Sequence, residues 1–302
     1  MEIKTSTFQF PELPEILKPY HDTIFNFFRK PMVLAIPQDE LAVLPWQSKI
    51  GGYPYLPKGA TSPVLTRGQD GEYYHTTMML LQINFQEISP IPGFPTQGIM
   101  QFFATSEPED CEDGKGDSKL VYYPEVIENI DLIETDFSSL PPKIYIPYAG
   151  HQDTPDEGVT IKFVTIDFSL TDSSYSPNSD IKALFDEVDE DLWKVVQDAF
   201  AQYLENDLKT SYQAWWKKQP IKKPPRVIQI GGNVYQFFNR DPRVIDDKGV
   251  VYDRLLMEYE CTDDDTKHGL PLKGYDAVPQ FFMNSEDLKA LNFSDYFYNC
   301  MF

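Results

Sequence analysis

The chain has 302 residues, of which 41% are apolar and 14% aromatic. That composition supplies a packed core and excludes a disordered chain, and the length suits two ordinary domains or one large one. A net charge of −21 repels phosphate backbones and anionic bilayers, so nucleic acid and membrane surfaces are excluded as general partners. A basic protein partner or a cation suits that field better, and an acidic surface also confers solubility. Three widely separated cysteines, Cys111, Cys261 and Cys300, form neither a disulfide framework nor a CxxC metal or redox motif. Met1 to Thr5 does not read as a signal peptide, and no apolar run reaches the length of a membrane span. The expected location is the cytoplasm.

In chain order, the first predicted element is a helix over Pro14 to Arg29, with Ile16, Leu17, Tyr20, Ile24, Phe27 and Phe28 on one stripe. A glycine pair follows in Ile50-Gly51-Gly52-Tyr53-Pro54-Tyr55. Two predicted strands come next, Met79 to Phe85 and Gly98 to Phe103, the second running into Ser106-Glu107. Residues 106–118 form an acidic loop. Leu120 to Tyr123, Lys143 to Tyr148 and Val159 to Phe168 read as further strands. A second helical region spans Ser179 to Lys218, with a break near residue 188, where Asp189-Glu190-Asp191 suits a helix N-terminus.

The second glycine pair stands in Ile230-Gly231-Gly232-Asn233-Val234-Tyr235. It precedes predicted strands at Arg254 to Glu260 and Ala277 to Phe282, and then Ser285-Glu286. Four landmarks recur in the same order, each set with a helix upstream. The expected fold is therefore strand-rich α+β, an internal duplication of a helix-plus-β-sheet module. Its halves, residues 1–175 and 176–302, would pack as one globular unit, with residues 32–110 superposing on 220–287. Gly51, Gly52, Gly231 and Gly232 are expected to be structural turns, because glycine adopts positive φ and admits close backbone approach. A phosphate-cradling loop would open a helix, and Pro54 and Pro57 oppose one after the first pair.

These segments resemble the YwqG-like family of uncharacterised bacterial proteins. The likeness is carried by Ser48 to Pro57, by Leu80 to Asn84, by Ile91 to Phe103, and by a tail running from Asp287-Leu288-Lys289 through Asn292-Phe293-Ser294 to Tyr298 and Cys300. The second copy departs from the family's pattern. Asn233-Val234 stands for Tyr-Pro, and Met257-Glu258-Tyr259 for Leu-Gln-Ile. The resemblance implies a fold and brings no activity with it.

No GxSxG, HExxH, Walker A or GxGxxG sequence is present. His21, His75, His151 and His268 lack ligand spacing, and the acidic stretch Asp263 to His268 fails the glycine and glutamate positions of a calcium loop. Neither a cofactor nor a metal site is expected, and the catalytic and binding residues are not legible. Lys209, Lys217, Lys218, Lys222, Lys223 and Arg226 form a basic segment containing Tyr212, Trp215 and Trp216. Bases interleaved with aromatics can grip single strands. Here they follow a helix C-terminus, where cations are favoured, and in that reading the tryptophans pack inward; being adjacent, one can be buried while the other lies at the rim. The function expected is that of a non-catalytic intracellular binding or interaction protein, one form of which neutralises a basic partner such as a toxin. The alternative is an enzyme whose dispersed carboxylates, such as Asp241 or Asp263 to Asp265, act with a metal. The tail aromatics Phe293, Tyr296, Phe297, Tyr298 and Phe302 are expected to dock.

Overall fold

A computed structural model describes residues 3–63, 66–69, 73–76, 78–104, 118–138, 158–169, 185, 188, 190–219, 228–234, 251–259 and 278–301. Its strands are β1 (Ile3–Lys4), β2 (Met32–Leu41), β3 (Lys49–Ile50), β4 (Thr66–Gln69), β5 (Tyr73–Thr76), β6 (Met78–Asn84), β7 (Ile99–Ala104), β8 (Ser118–Tyr123), β9 (Val159–Ile166), β10 (Ile228–Gly231), β11 (Arg254–Tyr259), β12 (Val278–Met283) and β13 (Phe297–Met301). Eleven of them form one sheet in the order β13-β12-β11-β10-β2-β9-β3-β6-β7-β8, with β1 added in parallel to β9. All other pairings in it are antiparallel.

The sheet curls until its two ends meet. The Tyr296 hydroxyl, just ahead of β13, donates to the Ser118 carbonyl of β8 at 2.8 Å. Phe102 of β7 meets Phe281 of β12 edge to face at 5.1 Å. One face of the strands thus lines the inside of a nearly closed barrel, filled by Val33, Ile50, Leu81, Ile83, Phe102, Phe163, Ile230, Met257, Phe281 and Tyr298. The alternation of β2 shows why: Val33 and Ala35 point into this core, while Met32, Leu34 and Ile36 enter a second core outside. Burying each large apolar side chain contributes about 1.5–3 kcal/mol.

The second core lies between the outer face of β2 and β9 and the helices. A 3₁₀ helix over Glu15–Tyr20 contains Pro19 and leads into α1 (His21–Phe28). The other helical segments of this core are α2 (Glu190–Gln202), a π-helical stretch (Tyr203–Leu208) and α3 (Lys209–Trp216), joined end to end with helical dihedrals at both junctions. Leu17, Ile24, Phe28, Val196, Phe200, Tyr203, Leu208, Trp215 and Trp216 pack together with Phe168 of the β9 end. A short helix, α4 (Ser285–Lys289), follows β12, its N-terminus capped by the Asn284 side chain accepting from Glu286 N at 2.9 Å.

The expectation of an α+β fold made from a duplicated helix-plus-β-sheet module is therefore corrected: the fold is mainly β. The two upstream helical regions do not each cover a sheet of their own. They pack against one another over a single face of a single sheet, because both present wide aromatic stripes that only a shared core buries. What recurs between the two stretches is local, a glycine pair and a bulged strand pair, at Met79/Leu81 in β6–β7 and at Leu255/Met257 in β11–β12.

Candidate protein-interaction surface

On the outer face of β3, β6, β7 and β8 no long helix lies among the described residues. Two segments cover it instead, residues 42–58, which contain the two residues of β3, and 124–138. Buried amides pin the first. Gln82 Nε2 donates to the Pro45 and Gln47 carbonyls, each at 2.7 Å, and Asn84 Nδ2 donates to the Trp46 carbonyl at 3.1 Å. Gln82 Oε1 accepts from Tyr55 N and from Gln101 Nε2, both at 2.8 Å, and Gln101 Nε2 also donates to the Tyr55 carbonyl at 2.8 Å. Each of these contacts satisfies a loop backbone group that would otherwise be orphaned against the sheet.

The second segment is fastened to the first. The Pro57 and Ile133 backbones form a bridge, Lys58 N donates to the Leu132 carbonyl at 2.9 Å, and Glu134 N donates to the Leu56 carbonyl at 2.8 Å. The Tyr55 hydroxyl accepts from Ile127 N at 2.8 Å. Burial raises the Tyr55 phenol above its ordinary value and pushes Tyr123, whose ring meets it edge to face, up to about 12, so both stay neutral. Tyr55, Ile99 and Ile133 form a small core under the two segments, and Trp46, Tyr123, Val126 and Ile127 pack against it. Asn129 caps the 3₁₀ turn Ile130–Leu132, accepting from Asp131 N at 3.0 Å, and Tyr53 stacks on Phe137 at 4.4 Å.

This scaffold displays apolar side chains instead of hiding them. Five of the nine large apolar side chains left exposed among the described residues lie on or beside these segments: Leu41, Val43 and Leu44 on one, Ile130 and Leu132 on the other. Val43 is 84% exposed, Ile130 49% and Leu132 52%. Around them acids predominate, with the exposed Lys58 beside Leu132 a base among them. Residues 124–138 contain Glu125, Glu128, Asp131, Glu134 and Asp136 and no base, and Glu40 adds another exposed carboxylate. Exposed apolar side chains on loops rich in carboxylates and already held in place suit a partner segment that carries both apolar and basic side chains.

Of the residues singled out from sequence, Gly51 and Gly52 lie within the first of these segments and the others lie elsewhere or outside the described residues. Gly51, Gly52, Gly231 and Gly232 have φ of 64°, 72°, 68° and 77°. At Gly232 an added Cβ would stand 3.0 Å from both Met32 Cβ and Ser169 Cβ. His21 is exposed beside Asp22, with Nδ1 2.8 Å from Oδ1. For His75 only the backbone, in β5, is described, while His151, His268, Asp241, the stretch 263–268, Lys143 to Tyr148 and residues 106–117 lie outside the described residues. Among the described residues no three His, Cys, Asp or Glu side chains come together as a metal ion would require. In the basic segment Lys209 pairs with Glu205 at 2.7 Å, Lys217 and Lys218 are exposed, and Lys222, Lys223 and Arg226 lie outside the described residues. The tryptophans pack inward: Trp215 and Trp216 are both buried, and the Trp215 indole donates to the Ser6 carbonyl at 2.9 Å.

The surface over residues 42–58 and 124–138 was not legible as a site. A signal existed, five acids without a base around Ile130 and Leu132, but the meeting of two distant segments is a tertiary fact. No helix among the described residues is long and apolar enough to cross a membrane. Residues 48–301 match a family model described as "Domain of unknown function (DUF1963)". Comparison with curated proteins gives no match.

Proposed function

Because the chain belongs to the DUF1963 family, whose description carries no activity, we propose its function from this surface: a non-catalytic binding protein that docks a basic, partly apolar segment of another protein. The observation that carries the reading is the exposure of Val43, Ile130 and Leu132 on a braced scaffold rich in carboxylates. The net charge of −21 supports the same choice, since it speeds encounter with cationic partners and disfavours anionic ones. Neutralising a basic partner is one form of this role. Within its family the chain is assigned to the YwqG-like proteins on the Ser48 to Pro57 motif and the aromatic tail. The cytoplasm is the assigned compartment, supported by the three widely spaced cysteines. The glycine pairs serve as structural corners of the sheet in this reading.

The test compares affinity capture by the native protein with capture by Ile130→Asp/Leu132→Asp, with the bound proteins identified by mass spectrometry. Basic partners recovered by the native chain should be lost with the variant, and their binding should weaken as salt rises from about 50 to 300 mM. Equal recovery by both chains would sink the proposal.

A further inference from the structure

The chain between β6 and β7 meets the start of β11. Ile91-Pro92-Gly93-Phe94 forms a type II turn: proline fixes its first corner, Gly93 has a φ of 85° at the second, and Phe94 N donates to the Ile91 carbonyl at 3.0 Å. Ile91 and Phe94 are buried in the barrel core, which fixes the turn. The Pro92 carbonyl accepts from Arg254 Nη2 at 2.8 Å, and the guanidinium carbon lies 5.8 Å from the centre of the Phe94 ring. The turn thus holds Arg254 from two directions. Arg254 is half-buried, yet its bond to Pro92 lies at the surface, and Pro92 and Gly93 are exposed. Gly93 has no side chain to cover the cation; an added Cβ would stand 3.8 Å from Nη2.

A guanidinium carries five N–H donors, and the Pro92 carbonyl engages one of them. Among the described residues no carboxylate pairs with Arg254. Asp253, its neighbour in the chain, turns Oδ1 to Ser285 N at 2.8 Å. Burial holds Arg254 below the ordinary arginine range, with only the charge of Asp253 opposing. A cation that loses water without gaining an acid bears a cost, which an incoming anion offsets. The planar fork matches a carboxylate, two N–H groups to two oxygens. The net charge of −21 then selects among anions. A polyphosphate or an acidic protein segment brings several charges into a field of the same sign, whereas a monocarboxylate brings one.

We infer that Arg254 is a reversible binding site for small organic monocarboxylates, whose oxygens accept from the guanidinium N–H groups that Pro92 leaves unused. The site is built from the start of β11 and the Ile91–Phe94 turn, so it stands apart from the docking surface and does not depend on it. Arg29 provides a comparison within the same chain. It also lies over a phenylalanine ring, Phe25, at 5.6 Å, but it is exposed and keeps its water.

The test titrates the full isotope-labelled chain with benzoate at constant ionic strength and follows the arginine Nε–Hε resonances, assigned through their bonds to the backbone. The Arg254 signal should shift saturably, at benzoate concentrations at least about tenfold below those that move Arg29. Chloride should leave it in place, and inorganic phosphate should bind more weakly than benzoate. In equilibrium dialysis Arg254→Lys should lose at least about tenfold in benzoate affinity, because an ammonium lacks the planar fork. The titration of the native chain decides the matter even where the variant does not fold. The inference is overturned by a shift at Arg254 that chloride reproduces or that needs as much benzoate as Arg29, by phosphate binding more tightly than benzoate, or by undiminished affinity in Arg254→Lys.

Discussion

The Tyr296 hydroxyl donates to the Ser118 carbonyl at 2.8 Å, across the seam where the two ends of the sheet approach each other. The same stretch buries Tyr298 and packs Phe293 against Tyr122 at 4.7 Å. Tyr296→Phe should therefore lower stability by about 1 kcal/mol in urea unfolding. Truncation before residue 291 should do far more. It removes several aromatic side chains worth about 1.5–3 kcal/mol each from a fold whose total stability is of the order of 5–15 kcal/mol. A truncated chain with an unchanged melting temperature would mean that the seam is not held by this segment.

Gly232 is a corner with little room for a side chain. Its φ is 77°, and the space for a Cβ is already taken by Met32 and Ser169. The next residue anchors the corner: Asn233 N donates to Ser169 Oγ and Asn233 Nδ2 to the Phe27 carbonyl, both at 2.8 Å. Gly232→Ala should cost well over about 1 kcal/mol, combining left-handed strain with a backbone shift. Gly59 has a similar φ of 83° with open space around it, so Gly59→Ala should cost only the strain. Equal losses for the two variants in denaturant unfolding would refute this account.

Lys49 ties stability to pH with a definite sign. Its folded-state value is about 8 against an ordinary 10.5 when unfolded. Below pH 8 both states are protonated and the folded state bears the full burial cost. Between about 8 and 10.5 the folded state alone loses its proton, so this residue's contribution rises with pH. Lys49→Met should accordingly be more stable than the native chain at pH 7, by up to roughly 3 kcal/mol. That advantage should shrink as pH climbs through this window. An advantage that stays constant across it would show that the ammonium is compensated.

Tyr55 holds the acidic surface in shape by accepting from Ile127 N. Tyr55→Phe leaves that N–H without a partner, at a cost of about 1–3 kcal/mol if it stays buried. The expected result is faster amide exchange at Ile127 and weaker capture of basic partners, with the exchange of β12 unchanged. Exchange at Ile127 as slow as in the native chain would contradict the bracing role.

Strands with strong β-branched and aromatic runs were readable. Val159 to Phe168 became β9 over Val159–Ile166, and Leu120 to Tyr123 fell within β8. The strand at the middle of the sheet, β2, was not read, since Pro37 interrupts its pattern. Proline is tolerated there because β10 pairs with β2 only from Met32 to Ala35, so no ladder bond on that side is lost. The helix-plus-sheet repeat misled because order along the chain does not say which face a helix covers. Nothing in the local sequence ahead of the first glycine pair marks Lys49 as buried. Its burial follows from the register of a two-residue strand, which no local pattern encodes. The burial of both Trp215 and Trp216 likewise depends on the N-terminal segment, where Phe8 and the Ser6 carbonyl meet Trp215.

The position of β2 also governs the order in which the molecule can assemble. Met32 pairs with Ile166 on one side and Gly231 on the other, so both neighbours of this strand are synthesised long after it. Until they emerge from the ribosome, β2 has neither edge covered, and the apolar residues Val33 to Ile36 stay available to chaperones or to strands of other chains. Such high contact order makes for a slow search. In pulse-labelled refolding the amides of β2 should gain protection together with those of β9 and β10, whereas the β6–β7 pair, close in sequence, should be protected earlier.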